Sequence, residues 1–130
     1  AVDADVVLVE GQGSINHPGY SGVTLGLLHG SCPDAMLLCH QASRKFIGDY
    51  RPAAWLAMPP LAEYVRLYET MANTVHPSRV IGIALNTYDL SDDEAQRACE
   101  DAARETGLPC TDPVRFDATP LLDAIVAERR

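Results

Sequence analysis

Val6-Val7-Leu8-Val9-Glu10-Gly11-Gln12-Gly13-Ser14 is the stretch that decides the fold class of this 130-residue chain. Its apolar run predicts a buried strand over residues 5–9, and the glycines that follow predict a tight turn. In open α/β folds, ligands bind at the carboxyl edge of a parallel sheet. Glu10 is therefore a candidate Mg²⁺ ligand or proton acceptor, and Gly11 and Gly13 would let backbone N–H groups approach an anion. A tight turn with a solvated glutamate explains the same residues equally well.

Extended and helical patterns alternate along the rest of the chain. Aliphatic runs predict strands over 35–40 and 79–85, and Ser91 with Glu94 predicts a capping box for a helix that ends at Gly107. The other predicted elements are a short, largely buried helix over 20–29, a helix over 61–75, an edge segment over 108–111 and a last helix over 119–130. Strands that alternate with helices imply an α/β fold with a parallel sheet and helices on both faces.

The composition narrows the class of protein. A net charge of −8 and a pI near 4.8 argue against a surface that binds DNA or RNA, because that affinity comes from clustered Lys and Arg. Since no apolar segment is long enough to span a bilayer and no signal peptide opens the sequence, we expect a cytoplasmic protein without a membrane partner. The chain starts at Ala1 without Met and contains no G-x-x-x-x-G-K-[ST] phosphate loop. We therefore expect it to be part of a longer polypeptide.

The cysteines carry no motif for zinc or for redox chemistry. They are Cys32, Cys39, Cys99 and Cys110. Because no two of them form a C-x-x-C pair, we expect reduced thiols. A metal cluster that combines the first two with His29 and His40 is awkward, since Cys39 and His40 are adjacent on a predicted strand and would point to opposite faces.

Polar residues follow each predicted strand and should meet at one edge of the sheet. They are Glu10 to Ser14, His40, Gln41, Arg44, Asn86, Thr87, Thr111 and Asp112. A second glycine-rich turn carries His17 and Tyr20 as possible acid or base groups, with loop packing as their ordinary role. It leads to Ser21 and Gly22 at a helix N-terminus, which favours a carboxylate or phosphate.

Three further features leave more than one interpretation open. The amide of Asn86 is suited to reading a purine edge, but a turn would also use an asparagine. The irregular stretch 41–60 is typical of a lid or an interface segment, and some such loops are merely long. Trp55, Tyr64 and Tyr68 favour core or subunit interface over a platform for single-stranded nucleic acid, because no basic residues lie between them.

Several motifs together resemble a known family. They are Val7 to Ser14, His17-Pro18 with Tyr20 to Gly30, Leu38-Cys39-His40, Ile83 to Thr87, and Thr111 to Phe116. These blocks are similar to the carboxy-terminal domain of the D-glutamate N-acetyltransferase family. The resemblance implies a P-loop NTPase-like, three-layer α/β sandwich with a mostly parallel sheet, related to dethiobiotin synthetase. It also implies that residues 1–130 are the C-terminal part of this domain, with the phosphate loop and a Rossmann-like domain upstream.

The resemblance also implies an activity, which is transfer of an acetyl group from acetyl-CoA to the amine of D-glutamate or a related acidic D-amino acid. Acetyl-CoA would be the co-substrate, Mg²⁺ a candidate metal held by Glu10, and the assembly a homo-oligomer. The competing hypotheses are an ATP-dependent ligase or kinase and a nucleotide-binding regulatory domain without turnover.

Each candidate site residue then receives a role. The candidate catalytic residues are Glu10, His17 and Tyr20. The candidate substrate contacts are Ser14, Ser21, Gly22, His40 and Arg44. The candidate cofactor contacts are Gly11, Gly13, Asn86 and Thr87. The base that deprotonates the substrate ammonium would be Glu10 or His17, and Arg44 would pair with the side-chain carboxylate of the substrate.

Overall fold

Three parallel strands and four helices make up the fold in the computed structural model, which describes residues 4–47 and 56–128. In chain order the elements are α1 (Ser21–Ser31), β1 (Ala35–Gln41), α2 (Leu61–Ala72), β2 (Arg79–Asn86), α3 (Asp92–Thr106), β3 (Cys110–Thr111) and α4 (Thr119–Glu128). The sheet order is β1-β2-β3, with both pairs parallel. This confirms the predicted α/β class and the predicted strands 35–40 and 79–85.

The core lies between the sheet and helices α2 and α3. Its buried residues are Leu61, Val80, Ile83, Leu85, Cys99 and Ala102. Helix α4 packs against the strands as well, and a Cβ built on Gly82 would lie 2.8 Å from Cδ2 of Leu121. The absence of a side chain at Gly82 therefore lets α4 approach the sheet closely, on the face opposite to Ile83.

Helix α3 begins and ends where its sequence signals predicted. Ser91 accepts from the backbone N–H of Glu94, and the Glu94 carboxylate accepts from the backbone N–H of Ser91. Gly107 ends the helix with φ of 71°, a left-handed conformation that costs glycine little. The helix predicted for 61–75 ends earlier, at Ala72. Of the edge segment predicted for 108–111, only the last two residues form a strand, β3.

Two predictions about the first part of the chain are wrong. Residues 5–9 do not form a strand in the described chain, and the exposed fractions of Val7 and Leu8 are 72% and 82%. An apolar run becomes a strand only where another strand satisfies its backbone groups. Helix α1 is not largely buried either, because Thr24 is its buried residue while Val23 is half exposed.

Three other expectations concern membranes, thiols and Trp55. The described residues include no helix with the length and apolar character needed to cross a membrane. All four cysteines are free thiols, as expected. Trp55, and with it part of the irregular stretch 41–60, lies outside the described residues.

Candidate functional site

A crevice of about 1200 Å³ opens at the carboxyl ends of the strands. The polar residues of its lining are Ser14, His17, Tyr20, Cys39, His40, Gln41, Arg44, Tyr64, Tyr68, Asn86, Tyr88, Asp112 and Arg115. Parallel strands place their carboxyl ends at one edge, so side chains far apart in sequence meet there. The backbone N–H of Ala42 donates to the carbonyl of Asn86 at 3.0 Å, which joins the ends of β1 and β2 directly.

One wall of the crevice depends on Gly13. This residue has φ of 67°, and a Cβ placed on it would lie 2.7 Å from Cβ of Tyr20. Only glycine adopts this conformation readily and leaves room for the tyrosine. The Gly13 turn therefore sets the position of Tyr20, which is half exposed and lines the crevice.

His17 is buried at the same wall. Its Nδ1 accepts from the backbone N–H of Gly19 at 3.0 Å, and its ring centroid lies 4.7 Å from that of Tyr20. With Nδ1 as acceptor, a neutral imidazole carries its proton on Nε2. The carbonyl of His17 also accepts from the backbone N–H of Ser21 at 2.9 Å, so that N–H of the helix terminus is already committed.

Two tyrosines of α2 line the crevice and also belong to the core, as the sequence had favoured, because Tyr64 is buried and Tyr68 packs against the core cluster. Asn16 Oδ1 accepts from the hydroxyls of Ser14 and Tyr64, at 2.7 and 2.6 Å. The hydroxyl of Tyr68 accepts from the backbone N–H of Ile15 at 3.2 Å. The four-residue spacing of the tyrosines puts both on one side of the helix, but this periodicity is the same for a core face and for a crevice wall.

His40 lies near the end of β1, and Arg44 follows just after the strand. Burial first, and then the positive charge of Arg44, lower the pKa of His40, while the charge of Glu105 raises it in part. The guanidinium of Arg44 donates to the side-chain carbonyl of Gln41 at 3.0 Å, which holds it beside the strand end. This part of the crevice therefore combines a fixed cation with an imidazole that favours its neutral form.

The third region of the site is the end of β2. Asn86 Oδ1 accepts from the backbone N–H of Tyr88 at 3.1 Å, which directs this side chain along the rim of the crevice. Thr87 is fully buried, and its N–H and hydroxyl both donate to Asp112 Oδ2. Thr87 thus supports the crevice from behind and does not line it.

Glu10, Gly11, Ser21 and Gly22 also lie outside the crevice lining. Glu10 is exposed, and the pKa of the Cys39 thiol is raised by burial and then by the charge of Glu10, so the carboxylate lies near the end of β1. In the described part of the chain, no three His, Cys, Asp or Glu side chains come together as metal ligands. The predicted roles of these residues stay predictions.

The crevice is more cationic than the chain as a whole. Arg44 and Arg115 line it, whereas Asp112 is the carboxylate among its described lining residues and is itself buried. The whole chain has a net charge of −8. Clefts focus the field of the charges that line them, and although Arg115 also pairs with Asp92 at 3.6 Å, the two guanidinium groups favour anionic ligands.

A parallel sheet flanked by helices, with a crevice at its carboxyl edge, places the chain in the class of open α/β domains. Within this class the chain belongs to the family described as "Domain of unknown function (DUF1611_C) P-loop domain", whose model matches residues 1–122. A crystal structure of a DUF1611 family protein from Anabaena variabilis shares 44% sequence identity and superimposes with a TM-score of 0.88. The match covers 96% of this chain and 36% of that chain.

Two curated relatives are named D-glutamate N-acetyltransferase. The protein from a Pseudoalteromonas species is 37% identical over 121 residues, and the one from Tritonibacter scottomollicae is 37% identical over 124 residues. Each match covers 92% of this chain but 34% and 35% of the relatives. The chain therefore spans about a third of their length. The family resemblance deduced from the motifs is confirmed.

Proposed function

We propose that this chain is the crevice-bearing part of an enzyme that transfers the acetyl group of acetyl-CoA to the amine of D-glutamate or a related acidic D-amino acid. The names of the two relatives support the acetyl transfer. The observation that carries the proposal from this chain is the cationic crevice in an otherwise acidic protein. Acetyl-CoA and glutamate are both anionic, so both gain from such a lining.

The size of the crevice supports a reaction between two molecules. Pockets for one small ligand usually have volumes of about 300–1,000 Å³. At about 1200 Å³ the crevice is larger. In our proposal the acidic amino acid occupies the end near His40 and Arg44, and the adenine of CoA lies near Asn86.

The proposed reaction needs a base and hydrogen-bond donors. The ammonium of the acceptor must lose a proton before its nitrogen attacks the thioester carbon, and the developing oxyanion needs donors. Glu10 and His17 are the proposed bases, and His17 lines the crevice, where Nδ1 must release the backbone N–H of Gly19 before it can accept a proton. The hydroxyls of Tyr20 and Ser14 are the proposed donors, the latter after it turns away from Asn16, and Arg44 would pair with the side-chain carboxylate of the acceptor.

Glu10 is the residue that we propose to hold Mg²⁺. Magnesium is commonly held by one or two carboxylates together with water and phosphate oxygens. A single exposed carboxylate near the end of β1 meets that requirement. When bound, the ion would neutralise phosphate charge, and the role of Glu10 would be to hold it.

An ATP-dependent ligase or kinase is the second candidate. The observation in its favour is the family description, which is that of a P-loop domain. Such an enzyme would use the region of Asn86 for the adenine of ATP. A regulatory domain would bind the same nucleotide without turnover.

The deciding experiment uses the intact protein of which this chain is a part. Acetyl transfer would be measured with acetyl-CoA and either D-glutamate or L-glutamate, and ATP hydrolysis would be measured in parallel. We expect acetyl-D-glutamate to form without ATP consumption. ATP turnover without acetyl transfer would favour the second candidate, and binding without any turnover would favour the regulatory domain.

A further inference from the structure

Asp112 is a buried carboxylate for which acetyl transfer provides no direct task. It follows β3 and is only 4% exposed, although it stands at the crevice. A charged group in this position is costly unless it is fully hydrogen-bonded. Its partners therefore indicate what its charge is for.

Four donors from two separate segments bind the Asp112 carboxylate. Oδ2 accepts from the N–H of Thr87 at 2.9 Å and from its hydroxyl at 2.5 Å. Oδ1 accepts from the backbone N–H groups of Val114 and Arg115, each at 3.0 Å. One oxygen thus holds the residue after β2, and the other holds the loop after β3.

These two segments form the same part of the crevice. Asn86, directly before Thr87, lines it together with Pro113, Val114 and Arg115. Val114 is 94% exposed, so its position comes from its backbone and from no packing of its side chain. The carboxylate that binds both segments therefore contributes to the distance between the Asn86 amide and this loop, in addition to the pairing of β2 with β3.

We propose that Asp112 is a positioning residue for the nucleotide end of the crevice, where it fixes Asn86 against the loop 113–115 so that the adenine of CoA binds between them. The inference rests on the proposed function, since it assigns CoA to this end. Asp112 itself does not contact the ligand. Its charge strengthens the four hydrogen bonds that hold the two segments, because hydrogen bonds to charged acceptors are about twice as strong as neutral ones.

The loop has a second attachment, which makes the proposal testable in a folded protein. The guanidinium of Arg115 donates to the carbonyl of Leu90 at 2.8 Å, and the hydroxyl of Thr111 donates to the carbonyl of Asp117 at 2.9 Å. Replacing Asp112 with Asn preserves shape but removes the charge and turns one acceptor into a donor. The loop should remain attached while its distance from Asn86 changes.

The test compares Asp112→Asn with Asp117→Asn in the intact protein. Asp117 Oδ1 likewise accepts from a backbone N–H and a hydroxyl, both of Thr119, but Asp117 does not line the crevice. We expect Asp112→Asn to raise the Kd for CoA and the KM for acetyl-CoA about 10–100-fold. This is the range found in metal sites when a residue that holds a ligand side chain in place is lost. The KM for D-glutamate should stay unchanged, and Asp117→Asn should change none of these constants.

An unchanged Kd for CoA in folded Asp112→Asn protein would overturn the positioning role alone. If this variant does not fold, Thr87→Val and Thr87→Ser decide, because only serine keeps the hydroxyl donor. We expect Val to weaken CoA binding and Ser to restore it, and equal Kd values for the two would overturn the proposal.

Wild-type protein that binds ATP but not CoA would contradict acetyl transfer, and the Kd for ATP would then test Asp112. Wild-type binding of neither would overturn both.

Discussion

Glu10 and His17 are the two proposed bases, and the structure separates them by exposure. Glu10 is exposed, whereas His17 is 7% exposed and bonds to Gly19. Replacing Glu10 with Gln removes the charge and keeps the shape. We expect kcat for acetyl transfer to fall about 10²–10⁴-fold, the usual effect of losing a general base, with an unchanged Tm.

His17→Gln is the comparison that identifies the base. It removes a buried ring that contacts Tyr20, so it should lower the Tm as well as any activity that depends on it. A normal kcat for Glu10→Gln together with a large loss of kcat for His17→Gln protein that is still folded at the assay temperature would assign the proton transfer to His17. Steady-state kinetics and thermal unfolding of both variants provide the readouts.

His40 gives a prediction about pH. Burial and the charge of Arg44 both disfavour its protonated form, so the pKa lies below the ordinary value of 6.5. The unfolded chain therefore binds this proton at a higher pH than the folded chain does. As the pH falls from 6.5 through the folded pKa, the free energy of unfolding decreases.

An NMR titration of the His40 ring should show this directly. We expect a midpoint below 6.5 in the wild type and a higher midpoint in Arg44→Gln, because the neighbouring positive charge is lost. A midpoint that does not move on this substitution would show that the charge of Arg44 does not act on the imidazole.

At the scale of elements, the contrast between residues 5–9 and β2 yields a stability prediction. Leu8 is 82% exposed and Leu85 is 3% exposed, although both occur in aliphatic runs. Leu85→Ala should lower the free energy of unfolding by about 2–5 kcal/mol, because it leaves a cavity in the core. Leu8→Ala should change it by less than about 0.5 kcal/mol. Denaturant unfolding of both variants is the measurement, and a large cost at Leu8 would mean that residues 5–9 are packed in solution.

Two glycines should respond in opposite directions to an added side chain. Gly82→Val would force methyl groups against Leu121 and Leu37, whose Cδ2 atoms lie 2.8 and 3.1 Å from the position of a Cβ. We expect a loss of about 1–3 kcal/mol, typical of overpacking. Gly26→Ala in α1 meets no atom within 4 Å and should stabilise the fold by about 0.4–1 kcal/mol. A stabilising Gly82→Val would contradict close packing of α4 on the sheet.

The elements that could be predicted from the sequence are those specified by local signals. The capping residues Ser91 and Glu94 and the glycine at 107 mark both ends of α3 in the sequence itself. The strand prediction for residues 5–9 was wrong because an apolar run alone does not indicate whether a partner strand lies beside it. For Tyr64 and Tyr68 the helical period was correct, but only the fold shows that the loop at 14–16 meets them.

For the whole molecule, the proposal divides the crevice into two ends. Strand-end residues that could be listed from the sequence do meet there, because parallel pairing brings them to one edge, but Glu10 falls outside the lining. The sequence does not indicate which strand-end residues are buried. Thr87, predicted as a cofactor contact, lies behind the crevice and is bound to Asp112. Because the proposal places CoA at Asn86 and the acidic amino acid at Arg44, substitutions at these two residues should weaken the binding of one ligand each.

Ligand-induced stabilisation tests this division without turnover. A ligand at about 100 times its Kd adds about 2.7 kcal/mol to the free energy of unfolding, which raises the Tm of the intact protein. Asn86→Asp keeps the oxygen that accepts from Tyr88 but loses the amide donors, so it should reduce the Tm shift caused by CoA and spare that caused by D-glutamate. Arg44→Gln should do the reverse, because it removes the cation proposed to pair with the acid. If either variant reduces both shifts equally, the two ligands do not occupy separate ends, and the placement of CoA at Asn86 must be abandoned.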